Sequence, residues 1–345
     1  MNAFYFIRTP LQYLNSMELR NGNHSDVDKS ILIILCDYKP SLLQFKQIID
    51  ADYWDEIFYI WDSFSEKAEN SIINCLLSFS RKKRLDKIIK QIKSSDFVVW
   101  GNLSSNWCHY FLKKNISDNP VSILDDGFAT INLMNKINNG DSLLHHHGLI
   151  NKSEHFCLNP PKKIKLNDLC FFSVFDISKS VNIKIEKNNY DYWKLKIKSQ
   201  LSIVKKMYFV GQPLVFLKIL SKEQYSNILN QIFFYYSQKG YKCYYLPHRS
   251  CVLDYLDPNW EIIQYEMPLE YILINKSEDF PQIFATFYST AVYNLSRLFD
   301  QNDISFHYWN INNHELFNKY SNNIFAYLES NPIERQQIYL TSRLN

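Results

Sequence analysis

The sequence predicts an α/β protein built from two doubly wound domains, each with a parallel sheet. Short β-rich apolar runs alternate with longer segments whose apolar residues recur at helical spacing. A chain of 345 residues is long enough for two domains of about 150 residues each. The lysine-rich stretch at residues 184–198 interrupts the alternation and separates two series of elements. Strands that alternate with helices form a parallel sheet with helices on both faces.

The first series runs from the N-terminus to about residue 175. Its predicted strands are Ala3–Ile7, Ile31–Leu35, Glu56–Ile60, Phe97–Trp100 and Val121–Leu124. Helical spacing is found at Pro40–Ile49 and Glu66–Ile92. We expect residues 1–175 to form the first domain.

The second series follows a boundary that we place between residues 166 and 203. Its predicted strands are Lys206–Val210, Lys242–Leu246, Glu261–Ile263 and Ile283–Thr286, and its predicted helices are Glu223–Gln238 and Ala291–Phe299. We expect a second domain over residues 200–320 and a helical tail over residues 321–345.

Composition excludes several classes of protein. The 46% hydrophobic content and net charge of +3 exclude a disordered chain. The balance of 38 Lys and Arg against 35 Asp and Glu does not fit a nucleic-acid binder. Only 7 glycines are present, which leaves little room for a glycine-rich phosphate loop. The 7 cysteines form no CxxC pair, which favours free thiols in a reducing cytoplasm.

The N-terminal sequence and two basic runs indicate where in the cell the protein is located. Arg8 lies within the first apolar stretch, which indicates a strand rather than a signal peptide, and no apolar run is long enough to span a membrane. The runs at Arg81–Arg84 and Lys162–Lys165 are either solvated faces or contacts with an anionic membrane. We therefore predict a cytoplasmic protein with a possible peripheral contact at the inner membrane.

Ligands of parallel sheets lie beyond the carboxyl ends of the strands, so polar residues at those ends are the candidates for a functional site. Asp125, Asp126 and Gly127 follow the strand that ends at Leu124. Adjacent carboxylates raise one another's pKa, and a carboxylate at such an edge can accept a proton from a hydroxyl. The alternative is an ordinary surface turn.

The second domain offers two further strand ends. Gly211 and Gln212 follow one strand, where glycine permits close approach of a ligand and glutamine can bind it, or where the segment simply ends the strand. His248 and Arg249 follow another and could hold a phosphate, while the alternative for the histidine is a scaffold role.

Hydroxyl groups lie at a predicted helix start. Ser289 and Thr290 are placed where backbone amides bind phosphate, although ordinary capping explains one of them. Glu270 follows a proline turn and suits ribose hydroxyls, or it begins a solvated helix. We predict no metal site, because the three consecutive histidines at 145–147 cannot all face one ion.

The order of these motifs along residues 3–295 resembles bacterial sialyltransferases of the lipooligosaccharide-sialyltransferase and capsule-polysialyltransferase type. The motifs are Thr9-Pro10-Leu11-Gln12, Asp125-Asp126-Gly127, Gly211-Gln212-Pro213-Leu214, His248, Pro268-Leu269-Glu270 and Tyr288-Ser289-Thr290-Ala291. The resemblance implies a GT-B fold, with two Rossmann-like domains facing a central cleft. It departs from the family at the histidine, because Pro247 precedes His248 here instead of following it.

The resemblance also implies a reaction. An inverting, metal-independent enzyme would move sialic acid from CMP-sialic acid to a hydroxyl of a lipooligosaccharide or capsule glycan. Asp125 would be the general base, with Asp126, Thr9 and Gln12 on the substrate side. His248 would contact the donor phosphate and assist the departure of CMP.

The remaining donor contacts that the resemblance implies come from Ser289 and Thr290, with Arg249 sharing the phosphate. Gly211, Gln212 and Glu270 complete the donor site. Three alternatives remain: another CMP-activated nine-carbon sugar such as pseudaminic or legionaminic acid, a UDP- or GDP-sugar transferase of the same fold, and a non-catalytic glycan-binding or assembly protein.

Overall fold

The computed structural model describes most of the chain. The described residues are 1–22, 24, 26–36, 39–60, 71–94, 96–115, 121–141, 149–159, 169–177, 183–197, 201–248, 256–300, 303–311, 315–330 and 338–341. The chain divides into two compact units, Met1–Tyr192 (unit 1) and Trp193–Asn345 (unit 2).

Unit 1 contains a seven-stranded sheet in which every neighbouring pair is parallel. Its strands are β1 (Asn2–Ile7), β2 (Lys29–Leu35), β3 (Glu56–Ile60), β4 (Phe97–Trp100), β5 (Val121–Leu124), β6 (Leu169–Ser173) and β7 (Lys184–Lys187). Their spatial order is β3-β2-β1-β4-β5-β6-β7. The order reverses between β1 and β4, and such a switch point is where ligands bind in open parallel sheets.

The helices of unit 1 connect these strands. They are α1 (Pro10–Gly22), α2 (Lys39–Ile48), α3 (Ser71–Ile89), α4 (Asn106–Asn115), α5 (Ala129–Asn139), α6 (Leu149–Leu158) and α7 (Asp191–Lys196), and α7 crosses into unit 2. Six consecutive residues of β2 are buried, as expected for a strand covered on both faces. Phe6 and Trp100 stack at 4.4 Å between ring centroids, and this pair joins β1 to β4.

Unit 2 contains a six-stranded, all-parallel sheet of the same design. Its strands are β8 (Ile203–Val210), β9 (Lys242–Leu246), β10 (Glu261–Ile262), β11 (Phe280–Thr286), β12 (Ser305–Trp309) and β13 (Ile338–Thr341). Their spatial order is β10-β9-β8-β11-β12-β13, so the switch point lies between β8 and β11. Its helices are α8 (Lys222–Ser237), α9 (Leu269–Ile274), α10 (Thr290–Leu298) and α11 (Glu315–Ser330).

The predicted fold class is confirmed by these two parallel sheets. The predicted strands all form, with ends that differ by a few residues. The sequence analysis did not identify β6, β7, β12 and β13, because these follow polar or irregular segments. Of the described residues in the expected helical tail over residues 321–345, those through Ser330 are helical, whereas Ile338–Thr341 forms a strand that pairs with β12. The first unit extends beyond the expected residue 175 to Tyr192: β7 pairs with β6, and Tyr192 N donates to Glu18 Oε1 of α1 at 2.9 Å.

Candidate active site

A network of polar side chains occupies the carboxyl ends of β1, β4 and β5 in unit 1. It begins with Thr9 and Gln12, which form a reciprocal cap at the start of α1. Gln12 N donates to Thr9 Oγ1 at 3.3 Å, and Thr9 N donates to Gln12 Oε1 at 3.3 Å. Arg8 N also donates to Gln12 Oε1, at 2.7 Å. Thr9 and Gln12 therefore fix the first turn of the helix at the switch point.

Asp126 lies within this network. Gln12 Nε2 donates to Asp126 Oδ1 at 3.1 Å, and Asn102 Nδ2 donates to Asp126 Oδ2. The Asp126 backbone N–H donates to Thr130 Oγ1 at 3.1 Å. Asp126 is half-buried, so two amide donors hold its carboxylate in place while part of the residue reaches solvent.

Asp125 has a different environment. It is 2% exposed, and its two carboxylate oxygens accept hydrogen bonds from the end of β6, Oδ1 from Ser173 Oγ at 2.7 Å and Oδ2 from Val174 N at 2.6 Å. Burial raises the pKa of Asp125 to about 7, although Ser173, Val174 and Thr130 act in the opposite direction through their hydrogen bonds, as does the charge of Lys187.

Two glycines determine the local backbone. Gly127 adopts φ 67°, a left-handed conformation that glycine enters without strain, so it makes the turn after the two aspartates. Gly101, which follows β4, packs against the Gln12 carboxamide so closely that a Cβ at position 101 would lie well under 3.0 Å from Gln12 Oε1. Gly101 is thus required for the contact between β4 and Gln12.

A second layer of asparagines ties this site to the last strand of unit 1. Asn15 Nδ2 donates to the Asp125 carbonyl at 3.4 Å, and Asn188 Nδ2 donates to Asn15 Oδ1 at 3.1 Å. Both asparagines are fully buried. The backbone of Asp125 is therefore linked through α1 to the end of β7.

The switch point of unit 2 is formed by Gly211 and Gln212. Gln212 Oε1 accepts a hydrogen bond from Tyr288 N at 2.8 Å, which ties the end of β8 to the end of β11. A Cβ at position 211 would meet the Tyr245 hydroxyl well under 3.0 Å. The sequence analysis reserved the space at Gly211 for a ligand, but the Tyr245 side chain occupies it. Gly211 is therefore a packing residue in this structure.

The start of α10 lacks the side-chain cap that closes the start of α1. Ser289 is the N-cap residue in an extended conformation, and its side chain makes no capping hydrogen bond. Tyr288, Ser289, Thr290 and Ala291 are all half-buried. Backbone amides at a helix N-terminus bind anions, so this turn can receive a phosphate.

The other predicted donor-site residues differ in accessibility. Glu270 is 6% exposed, and its Oε1 accepts a hydrogen bond from Asn294 Nδ2 at 2.9 Å, so it joins α9 to α10 and does not face solvent as a ribose contact requires. Burial raises the pKa of Glu270. His248 is half-buried beyond the end of β9. Arg249 lies outside the described residues.

Sequence reasoning missed several members of the unit 1 site. Asn102 lies two residues beyond a correctly predicted strand, so its position at a strand end was the signal that could have found it. Ser173 was missed because β6 itself was not predicted. Asn15 and Asn188 carry no signal of their own, since nothing in the sequence indicates that they meet.

The described residues show neither a metal-binding cluster nor a membrane-spanning helix. No three His, Cys, Asp or Glu side chains come together there as ligands of one ion. No helix in the described part of the chain is both long and apolar enough to cross a membrane. The histidines at 145–147 lie outside the described residues.

The two parallel-sheet α/β units, one after the other in the chain, are the two Rossmann-like domains of a GT-B fold. The chain belongs to glycosyltransferase family 52, whose family model matches residues 52–305. This is a family of bacterial sialyltransferases, and the protein is a glycosyltransferase. No curated protein matches the chain in sequence.

Solved structures with a similar outline are distant. UDP-GlcNAc 2-epimerase from Methanocaldococcus jannaschii is 10% identical with a TM-score of 0.47, over 95% of this chain and 92% of that one. Phytolacca americana UGT2, solved with UDP-2fluoro-glucose and pterostilbene, is 10% identical with a TM-score of 0.48, over 94% and 84%. Arabidopsis thaliana UGT89C1, solved with UDP-L-rhamnose, is 8% identical with a TM-score of 0.47, over 92% and 81%. At this distance, the nucleotide and sugar that those proteins bind say nothing about this chain.

Proposed function

We propose that the protein transfers sialic acid from CMP-sialic acid to a hydroxyl of a bacterial surface glycan, a lipooligosaccharide or capsule chain, with inversion and without a metal. The observation that carries this proposal, within the family assignment, is the Asp126 carboxylate. Gln12 and Asn102 hold it at the switch point of unit 1, in a residue that is partly exposed.

The contacts favour Asp126 over Asp125 as the general base. A base must come within hydrogen-bond distance of the proton that it removes. Both carboxylates accept two hydrogen bonds inside the protein, so exposure decides between them. Asp125 is 2% exposed, whereas Asp126 is half-buried and can be approached by an acceptor. We therefore move the role predicted for Asp125 to its neighbour. Asp125 becomes a positioning residue that fixes the turn carrying Asp126.

The donor phosphate is assigned to unit 2. Thr290 and Ala291 follow the uncapped Ser289 at the start of α10, where backbone amides and two hydroxyls can receive a charged phosphate. His248 supplies a further donor beyond β9. The Gln212 contact with Tyr288 N keeps the β11 end in place, so Gln212 positions this turn.

The proposed chemistry balances as a single displacement. The acceptor hydroxyl gives its proton to the Asp126 carboxylate, and its oxygen forms a bond to the anomeric carbon of the nine-carbon sugar. The bond from that carbon to the CMP phosphate oxygen breaks, and CMP leaves with the electron pair. Attack opposite the leaving group inverts the anomeric centre. Electrostatic donors around the departing phosphate stabilise the developing charge.

A nucleotide panel tests the donor assignment before an acceptor is known. A ligand that binds only the native state raises the thermal midpoint, so we expect CMP to stabilise the protein and UDP and GDP to leave the midpoint unchanged. Stabilisation by UDP or GDP alone would contradict the CMP assignment. A lack of response to all three at millimolar concentration would favour a non-catalytic glycan-binding role.

An activity assay then shows which CMP-activated sugar the protein transfers. CMP-sialic acid, CMP-pseudaminic acid and CMP-legionaminic acid are offered with a lipooligosaccharide acceptor in the presence of EDTA, and the anomeric configuration is read by NMR. We expect transfer of sialic acid with inversion in EDTA. Exclusive use of another CMP-sugar would keep the mechanism and change the substrate.

Location is part of the same proposal. A glycan built on a lipid carrier is met at the inner membrane, so we place the protein in the cytoplasm at that surface.

A further inference from the structure

Unit 1 carries a surface on which exposed apolar and basic side chains lie together. We call it the α3–α6 surface, and its members come from helices α3 and α6. They are the apolar residues Leu76, Phe79 and Phe156 and the basic residues Lys83, Arg84, Lys87 and Lys90 just beyond the helix end.

The exposed residues of α3 form a stripe along one side of the helix. Leu76 is 64% exposed and Phe79 is 53% exposed, and the exposed positions continue in steps of three and four residues to Lys83, Lys87 and Lys90. The opposite face is buried through Leu85, Ile88 and Ile89. The outward stripe therefore runs along the helix for about 20 Å, with apolar residues at one end and cations at the other.

Helix α6 extends the apolar end. Lys82 Nζ donates to the Cys157 carbonyl at 3.3 Å, and Cys157 Sγ donates to the Cys75 carbonyl at 3.5 Å, so the two helices are joined at this point. Phe156, the residue before Cys157, is 77% exposed. Three large apolar side chains are thus exposed around the place where α3 and α6 meet.

The acidic residues of these two helices do not neutralise the surface. Asp86 accepts a hydrogen bond from Tyr110 Oη, and Glu154 is 1% exposed and accepts one from Trp107 Nε1 at 2.7 Å. Helix α4 adds further positive charge beside α6. Its exposed Lys113 donates through Nζ to the Asn159 carbonyl at 3.2 Å.

We propose that the α3–α6 surface binds an anionic phospholipid bilayer. Exposed Leu and Phe side chains next to a row of lysines suit a membrane interface, where the apolar groups enter the boundary of the acyl chains and the cations meet lipid phosphates. The complementarity of charge selects a negatively charged bilayer over a neutral one. This inference does not rest on the transferase reaction, because binding is measured without donor or acceptor.

Vesicle binding of the full chain tests it. The protein is mixed with vesicles of phosphatidylcholine alone or with 30 mol% phosphatidylglycerol, and the bound fraction is measured by co-sedimentation at low and high salt. We expect at least tenfold stronger partition to the anionic vesicles at low salt and loss of most of that preference at 0.5 M NaCl.

Paired variants assign the binding to this surface. Lys83→Glu with Lys87→Glu, and separately Leu76→Ser with Phe79→Ser, should each lower partition to anionic vesicles at least tenfold. The matched controls are Lys46→Glu with Lys319→Glu and Leu43→Ser with Phe216→Ser, which make the same changes at exposed positions elsewhere. They should change partition less than twofold. Circular dichroism and thermal midpoints check that every variant is folded.

Three results would overturn the proposal. The first is equal partition to neutral and anionic vesicles, or none to either. The second is an equal loss in the matched controls, which would show that total charge or apolar content matters and the α3–α6 surface does not. The third is sedimentation showing that Leu76→Ser with Phe79→Ser converts a dimer to a monomer while vesicle binding is unchanged, because a second copy would then cover the surface.

Discussion

A glutamine side chain makes a hydrogen bond at the switch point of each unit, but its role differs between the two units. In each unit a glutamine comes after the first strand of the switch and forms a contact beyond the end of another strand, β5 in unit 1 and β11 in unit 2. Gln12 donates to the Asp126 carboxylate in unit 1, whereas Gln212 accepts from the Tyr288 backbone in unit 2. One amide therefore holds an acid in place, and the other holds the start of a helix.

The helix starts show the same contrast. Thr9 and Gln12 close the start of α1 with a reciprocal cap, and Ser221 and Gln224 close the start of α8 in the same way. Ser289 does not cap α10. The cap of α1 thus also holds a carboxylate in place, while the first turn of α10 has no such cap. Under the proposed function, this difference would let one sheet design hold the base for the acceptor in unit 1 and the donor phosphate in unit 2.

Removing the two carboxylates separately gives the largest expected effect on activity. Asp126→Asn should lower kcat/KM for transfer by about 10²–10⁴, because a general base contributes that much. Asp125→Asn should cost about tenfold, since it acts through the turn. The comparison is made with the exposed Asp141→Asn as the control. A larger loss for Asp125→Asn than for Asp126→Asn would return the base role to Asp125.

The buried carboxylate should also make stability depend on pH. Because the pKa of Asp125 is about 7 in the folded protein against an ordinary 3.8, the folded chain keeps a proton that the unfolded chain has lost between these values. The free energy of unfolding therefore falls as pH rises from about 4 to 7, by on the order of 4 kcal/mol from this group.

Urea denaturation of the wild type and Asp125→Asn across this pH range isolates that slope. The variant lacks the titration, so the difference between the two curves should grow through the range and level off above pH 7. Parallel curves would show that Asp125 titrates normally.

The two crowded glycines provide the next comparison. Gly101→Ala and Gly211→Ala should each lower the free energy of unfolding by about 1–3 kcal/mol, because the new methyl group meets Gln12 or Tyr245. Gly22→Ala at the end of α1, where a Cβ meets nothing within 4 Å, should be neutral or slightly stabilising.

A double-mutant cycle checks the cause in unit 1. Gln12→Ala removes the carboxamide that the methyl group would meet, so adding Gly101→Ala to it should cost less than in the wild type. Additive effects would mean that the strain at position 101 arises elsewhere.

The open and closed helix starts are compared with two serine variants. Ser289→Ala should leave the free energy of unfolding within about 0.5 kcal/mol and weaken CMP binding several-fold, because its hydroxyl makes no cap. Ser221→Ala should lower stability by about 1 kcal/mol and leave CMP binding unchanged. For both variants, calorimetric titration measures CMP binding and urea denaturation measures the free energy of unfolding. Unchanged CMP binding in Ser289→Ala would remove that hydroxyl from the donor site.

The sequence predicted the strands on which both sites depend, because their apolar runs end sharply at polar residues. It also placed Asp125 and Asp126 at a strand end. It could not predict which of them is buried. Burial of Asp125 depends on Ser173 and Val174 at the end of β6, a strand that the sequence pattern did not reveal. Nor could it show that Tyr245 fills the space beside Gly211, because that contact joins the ends of two separate strands.

The hydrogen bond between Asn188 and Asn15, which we call the asparagine bridge, has a consequence for how the chain folds during synthesis. Asn15 and Asn188 are 173 positions apart, and Gln12 and Asp126 are 114 apart. Contacts between such distant positions form slowly and require loop closure across almost the entire first unit. During synthesis, α1 leaves the ribosome long before its partners exist, and the carboxylate site is complete only after residue 188 has followed. A chain interrupted before that point carries both aspartates without the bridge that secures them.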